Sequence, residues 1–170
     1  MSALPIVADG LDADAIAAVL RARQRAVAGE RTRRERPTET LLAFTLGGVA
    51  HGLPIEQVRA VAMVPKVTRL PHGPAALLGL VAWRGAVVNL FDPARLLARE
   101  VDTRGAMILL RHDSPRIALA VDALLGVVDM PRDDAVPTLA RLVEGDGERL
   151  TRVDPALLIA LLLPSRLQEG

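Results

Sequence analysis

From Thr38 onward the chain is a succession of short apolar runs separated by turn residues. Leu42, Phe44 and Leu46 alternate with Ala43 and Thr45, which predicts a strand; Gly47-Gly48 closes a hairpin, and Val49 to Leu53 returns. Pro54 presets a helical turn that places Ile55 and Val58 one turn apart. Arg59 to Val64 reads as a strand ended by Pro65, and Val67 to Leu70 as a further strand before the Pro71-His72-Gly73-Pro74 loop. Two apolar runs, Leu77 to Trp83 and Ala86 to Phe91, flank the Arg84-Gly85 pair and predict a hairpin, because Gly85 can take positive φ in a tight turn. A short helix is expected from Pro93 to about Ala98, capped by Asp92.

The pattern then recurs. Ala106 to Arg111 and Arg116 to Val121 are expected strands around the turn His112-Asp113-Ser114-Pro115. Further strands are expected at Leu124 to Met130, Leu139 to Val143 and Leu150 to Val153, followed by a helix from Pro155 capped by Asp154. Phe91-Asp92-Pro93-Ala94-Arg95-Leu96-Leu97-Ala98 aligns with Val153-Asp154-Pro155-Ala156-Leu157-Leu158-Ile159-Ala160, with a turn glycine, Gly85 or Gly147, ahead of each Asp. Upstream, Leu53-Pro54-Ile55-Glu56-Gln57-Val58 parallels Leu119-Ala120-Val121-Asp122-Ala123-Leu124. Two matches in the same order argue for a duplicated β subdomain, with copies at about residues 39–100 and 105–163. Short strands with frequent turns argue for small barrels.

The first 37 residues have a different character. Ile16, Val19, Leu20 and Val27 fall roughly on one face of an expected helix that Asp9 or Asp12 can cap and that runs to Ala28 or beyond. Residues 21–36 carry seven arginines against two glutamates, so the net charge of +1 conceals a basic N-terminal segment on a near-neutral body. Those arginines suit an anionic partner such as nucleic acid, lipid or an acidic helix; they equally suit a solvated helix end, and no aromatic residues interleave them for base stacking. Pro37 marks the boundary of the segment.

Composition narrows the chemistry. A chain of 170 residues that is 51% hydrophobic and only 2% aromatic must fill its core with Leu, Val and Ala. No cysteine is present, so disulfides and thiolate metal sites are excluded. The start of the chain lacks a basic region followed by an apolar run, and the stretch from Ala156 to Leu163 is too short to cross a bilayer, so a cytoplasmic protein with no direct membrane insertion is expected. Ser2, Ser114 and Ser165 sit in no nucleophile elbow, no phosphate-binding glycine loop occurs, and His51, His72 and His112 form no paired ligand motif. No catalytic residues, metal or cofactor are expected. Asp92 and Asp154 are read as helix caps rather than paired acids. Ile55 with Val58 suits either core or interface, and Trp83, the sole tryptophan, suits either a binding contact or half-buried strand packing.

The run Leu53-Pro54-Ile55-Glu56-Gln57-Val58-Arg59-Ala60-Val61, then Val67-Thr68-Arg69-Leu70-Pro71, then Leu78-Gly79-Leu80 through Trp83-Arg84-Gly85 to Asn89-Leu90-Phe91-Asp92, resembles the CheW-like family of chemotaxis coupling proteins. Leu119-Ala120-Val121-Asp122 and Val153-Asp154-Pro155 fit the second half of that pattern, and the likeness covers about residues 39–163. The chain departs from it at Ala82-Trp83, where the family usually has Asn-Leu, at Asn89, usually Pro, and at His51, often aromatic.

The resemblance implies an all-β fold of two SH3-like five-stranded barrel subdomains within residues 38–165; the Arg-rich helical extension of residues 1–37 lies outside the family's pattern, and the short helices after the Asp-Pro turns are read from the residues. It implies a non-enzymatic scaffold or adaptor that links a CheA-type histidine kinase, through that kinase's regulatory domain, to the cytoplasmic tips of chemoreceptors, with no nucleic acid as partner. Arg84 would contact a partner, Gly85 would shape the turn, Trp83 would extend the contact, and Ile55, Val58 and Val61 would line an apolar groove. The alternatives are a divergent adaptor serving a non-motility chemosensory pathway, and a binder of nucleic acid or membrane surface acting through residues 21–36.

Overall fold

The computed structural model describes residues 13–97, 105–132, 134 and 136–163, with side chains in the first helix described for residues 17–28. The chain divides into two units, Met1–Pro37 and Thr38–Gly170. The first holds helix α1, Ala13–Glu35. Val19, Leu20 and Val27 are more than half exposed on it. The expected caps Asp9 and Asp12, and the side chain of Ile16, lie outside the described residues.

The second unit is built of ten strands: β1 (Thr38–Leu46), β2 (Val49–Pro54), β3 (Val58–Met63), β4 (Leu77–Trp83), β5 (Ala86–Phe91), β6 (Ala106–Asp113), β7 (Arg116–Val121), β8 (Ala123–Pro131), β9 (Ala140–Gly145) and β10 (Glu148–Val153). Helix α2, Pro155–Leu162, follows. The strands form two five-stranded sheets, in the orders β8-β1-β2-β10-β9 and β3-β6-β7-β5-β4.

These orders are one order written twice. Shifting each strand label by five converts the first sheet into the second, parallel pairs included: β10 runs parallel to β2, and β5 parallel to β7. Even the irregularities correspond. The ladder shifts between Val58 and Ala60 on β3, and β8 shifts where Ala43 and Phe44 of β1 meet Gly126 and Leu124, leaving Arg59 and Leu125 as the extra residues.

The division expected at about residue 100 does not follow the sheets. Each half of the chain gives its first two strands to one sheet and its last three to the other, so both sheets contain strands from residues 39–100 and from residues 105–163. The reason lies in burial. β1, β6 and β7 carry runs of at least four consecutive buried residues and so are covered on both faces. On β1, Leu41 and Ala43 pack with Met130, Val143 and Leu150 inside the first sheet's curve. On β6 and β7, Met107, Leu109, Ala118 and Ala120 do the same with Val81, Val88 and Leu90 in the second. The opposite faces, Leu42, Phe44 and Leu46 against Ile108, Leu110, Ile117 and Leu119, meet in one shared core with Leu53, Phe91, Val153 and Leu158. Strands buried on both sides are interior strands, and here pairing between halves puts three of them there.

The described pairings leave β8 and β9 as edges of the first sheet, and β3 and β4 as edges of the second. The two ends β8 and β9 nevertheless approach closely, since a Cβ built on Gly145 would stand 2.9 Å from Pro131 Cδ.

Both Asp-Pro turns cap as expected. Asp92 accepts from Ala94 N (3.1 Å) and Asp154 from Leu157 N (3.0 Å). The first begins only a 3-10 turn, Pro93–Arg95, whereas the second begins α2. The expected strand from Val67 to Leu70 is reduced to a bridge between Thr68 and Leu80. Gly79 permits that bridge: with φ at +149°, an added Cβ would lie 2.3 Å from Thr68 O.

Candidate functional site

Register decides which residues meet. β6 runs into the turn at Ser114-Pro115, and its Leu110 pairs with Val58 at the start of β3. β5 runs parallel to β7 with Asn89 opposite Ile117, so the β4–β5 turn lies at the same end of the sheet as the β6–β7 turn. The second sheet therefore presents three things together at one end: the Arg84-Gly85 turn, the Ser114-Pro115 turn and the start of β3.

At the turn, Arg84 has φ at 48° and Gly85 at 76°. Two successive positive values suit a two-residue hairpin whose twist matches the flanking strands. Arg84 is exposed, and its guanidinium lies 4.6 Å from the centroid of the Trp83 ring. Trp83 is half-buried; its ring packs beside the inner cluster of the second sheet and lines a small cavity with Arg59, His112 and Arg116. Half-buried strand packing, one of the two readings of this tryptophan, is what the structure shows, and part of the side chain stays open.

Arg59 projects here because it is the extra residue of the β3 bulge, and it pairs with Asp113 through Nη2 to Oδ1 at 2.7 Å. Imidazole Nδ1 of His112 donates to Pro115 O at 2.7 Å, which holds that ring against its own turn. The amide of Asn89 donates to Arg116 O at 3.2 Å, tying β5 to the start of β7. Sequence pattern alone misses Arg59 and Arg116. The antiparallel β3–β6 register brings Arg59 to this end, with the bulge leaving it as the extra residue, and the parallel β5–β7 pairing brings Arg116.

The three apolar candidates do not form one groove. Val58 is 8% exposed and belongs to the shared core. Its place opposite Leu110, with a buried strand beside it, makes it a packing residue. Val61 is exposed, and Met63 beyond it on the same side of β3 is more so. Ile55, in the 3-10 turn Ile55–Gln57, lines a groove of about 530 Å³ whose other walls are polar apart from Pro137, including Glu39, Glu56, Arg132, Arg152 and Asp154. Within it, Arg152 is held above its ordinary pKa by its hydrogen bonds to Glu39, against the opposing effect of burial.

Among the described residues no group of three or more His, Asp or Glu could hold a metal ion, and no helix is long and apolar enough to cross a membrane. The one histidine that is fully buried, His51, stacks on Phe44 and donates from Nδ1 to Val49 O at 2.8 Å, a packing role.

Comparison with known proteins bears on the family and the fold. Chemotaxis protein CheW of Rhizobium meliloti (strain 1021) is 34% identical over 101 residues, covering 58% of this chain and 65% of that protein. Protein FrzA of Myxococcus xanthus is 27% identical over 105 residues, covering 60% of this chain and 66% of that protein. The matched stretch thus spans just under two thirds of the length of these relatives. The crystal structure of scaffolding protein TtCheW from Thermoanaerobacter tengcongensis superposes with a TM-score of 0.61 at 19% identity, over 73% of this chain and 94% of that one, so the fold is shared. The CheW-like domain model matches residues 40–165, which takes in every strand from β2 to β10 and almost all of β1, and the chain belongs to the CheW-like domain family.

Proposed function

We propose that this protein is a non-catalytic adaptor that couples chemoreceptors to a CheA-type histidine kinase in bacterial chemotaxis signalling. Family membership supports the reading, and so does the naming of its relatives as chemotaxis and scaffolding proteins. The observation that carries it is the Arg84-Gly85 turn beside Trp83, a rigid cationic projection on an otherwise packed β scaffold. Arg and Trp are the residue types that dominate protein interfaces, and a two-residue hairpin holds them with little freedom to lose on binding. Arg84, Gly85 and Trp83 are the contact residues in this proposal, with Ile55 and Val61 as exposed apolar neighbours of other partner surfaces and Val58 supporting them from the core. The protein works in the cytoplasm, where the receptor tips and the kinase lie.

The test is reconstitution. Purified protein is mixed with the CheA-type kinase and receptor-bearing membranes of the same cell, and kinase recovered with the sedimented membranes is measured. Recovery that depends on this protein is expected. Equal recovery with and without it overturns the proposal.

A further inference from the structure

The second sheet's exposed end holds more cation than a single contact residue explains. Arg59, Arg84 and Arg116 are all exposed there, and the nearby carboxylate of Asp113 is already paired with Arg59. Trp83 ties them together: the Arg84 guanidinium lies over its ring, and Arg59 and Arg116 line the same small cavity as its side chain. His112 adds a donor, but its Nδ1 is committed to Pro115 O. These groups come from three separate pieces of chain, and the antiparallel register of β3 on β6 and the parallel register of β5 on β7 are what bring them together.

We infer that Arg59 and Arg116 join Arg84 around Trp83 as one recognition surface for a carboxylate-bearing polypeptide segment. The class of partner follows from the groups present. Guanidinium forks match carboxylates in a bidentate geometry, and one indole among arginines is the make-up of a protein-binding hot spot. Single-stranded nucleic acid would need open aromatic faces for stacking, and here the lone ring already carries Arg84. The inference rests on the coupling reading above, in which this surface faces a protein partner, and it adds the chemistry that partner must present.

Trp83 is the sole tryptophan, so its emission reports this surface without a label. The full chain is titrated with a synthetic glutamate-rich peptide of about a dozen residues, long enough to reach all three guanidiniums, with its glutamine counterpart as control and a DNA duplex of similar charge as a second anion. The glutamate peptide is expected to change Trp83 emission saturably and the glutamine peptide to leave it unchanged. The double variant Arg59→Ser/Arg116→Ser, with Arg84 intact, is expected to bind about five- to tenfold more weakly while melting like the parent. Parental affinity in the double variant overturns the inference, as does an unresponsive Trp83. Tighter binding of the duplex than of the peptide, lost in the same variant, overturns it in favour of nucleic acid. Because neither kinase nor receptor is in the cuvette, failure here is separate from failure of the reconstitution.

Discussion

Arg152 and Glu39 grip each other in a two-pronged ion pair, Nε to Oε2 at 2.6 Å and Nη2 to Oε1 at 2.8 Å, joining β10 to β1 across 113 residues of chain. The two side chains are only 27% and 17% exposed. Removing one partner leaves the other charge part-buried without its matching group. Glu39→Gln is therefore expected to cost about 1–3 kcal/mol, read as a lowered denaturant midpoint with unchanged slope. A midpoint equal to the parent's would show the pair to be no more than a surface contact.

Arg84 should separate binding from folding. Its backbone sits in the left-handed region and its side chain touches only the Trp83 ring among the described contacts. Arg84→Ala is expected to melt within about 1 kcal/mol of the parent, since an exposed cation–π contact is worth little. Binding to receptor tips or kinase should weaken by about tenfold or more, and Arg84→Glu should be worse because it reverses the charge. Arg84→Gly should bind as poorly yet melt no lower, because glycine takes the positive φ freely. Calorimetry beside a titration with each partner reads both effects; parental affinity in all three variants would reduce Arg84 to a solvated turn residue.

Two glycines with positive φ should respond very differently. Gly79→Ala places a methyl 2.3 Å from the backbone oxygen of Thr68, which has nowhere to go while the Thr68–Leu80 bridge holds. A loss of at least about 2 kcal/mol is expected. Gly126, at φ +130°, faces open space, so Gly126→Ala meets backbone strain alone and should cost about 1 kcal/mol. Equal melting shifts for the two would mean that the bridge yields.

Where the chain parts company with its sheets is also testable. Residues 38–170 without the N-terminal unit should melt cooperatively, because every described strand lies beyond Pro37. A fragment ending near residue 100 should not, because it supplies only two strands to one sheet and three to the other. Circular dichroism melts of the two fragments check both expectations, and a cooperative transition in the shorter one would contradict the exchanged topology.

Much of this was legible in the apolar pattern, because each strand's apolar run with its bounding turn and each Asp-Pro cap are local features. Asp92 and Asp154 cap as read, and the hairpin at Arg84-Gly85 stands where the paired apolar runs put it. What escaped is non-local. The duplication was visible in Phe91–Ala98 against Val153–Ala160, but pairing partners are chosen by the shared core, so the exchange of strands between halves was not. Val67 to Leu70 has a strand's composition, yet Pro65 and Pro71 bracket it and only Thr68 finds a ladder partner. Arg59 was hidden because a bulge is a property of two strands, and Val58 and Val61 look alike in sequence although one faces the core and the other water.

The exchange of strands between halves also sets an order in time. During synthesis β1 and β2 emerge first, but β8, β9 and β10, which complete their sheet, come from the far end of the chain. Contacts such as Thr40 to Asp129, 89 residues apart, form only when most of the chain has left the ribosome. Until then the apolar faces of β1, including Leu42, Phe44 and Leu46, have no partner strand on one edge and no core to enter. Long loops must close before any sheet is whole, which favours slow folding and leaves a nascent chain exposed to mispairing with its neighbours. Until the second half arrives, the first half of this protein is the part most open to pairing with other copies.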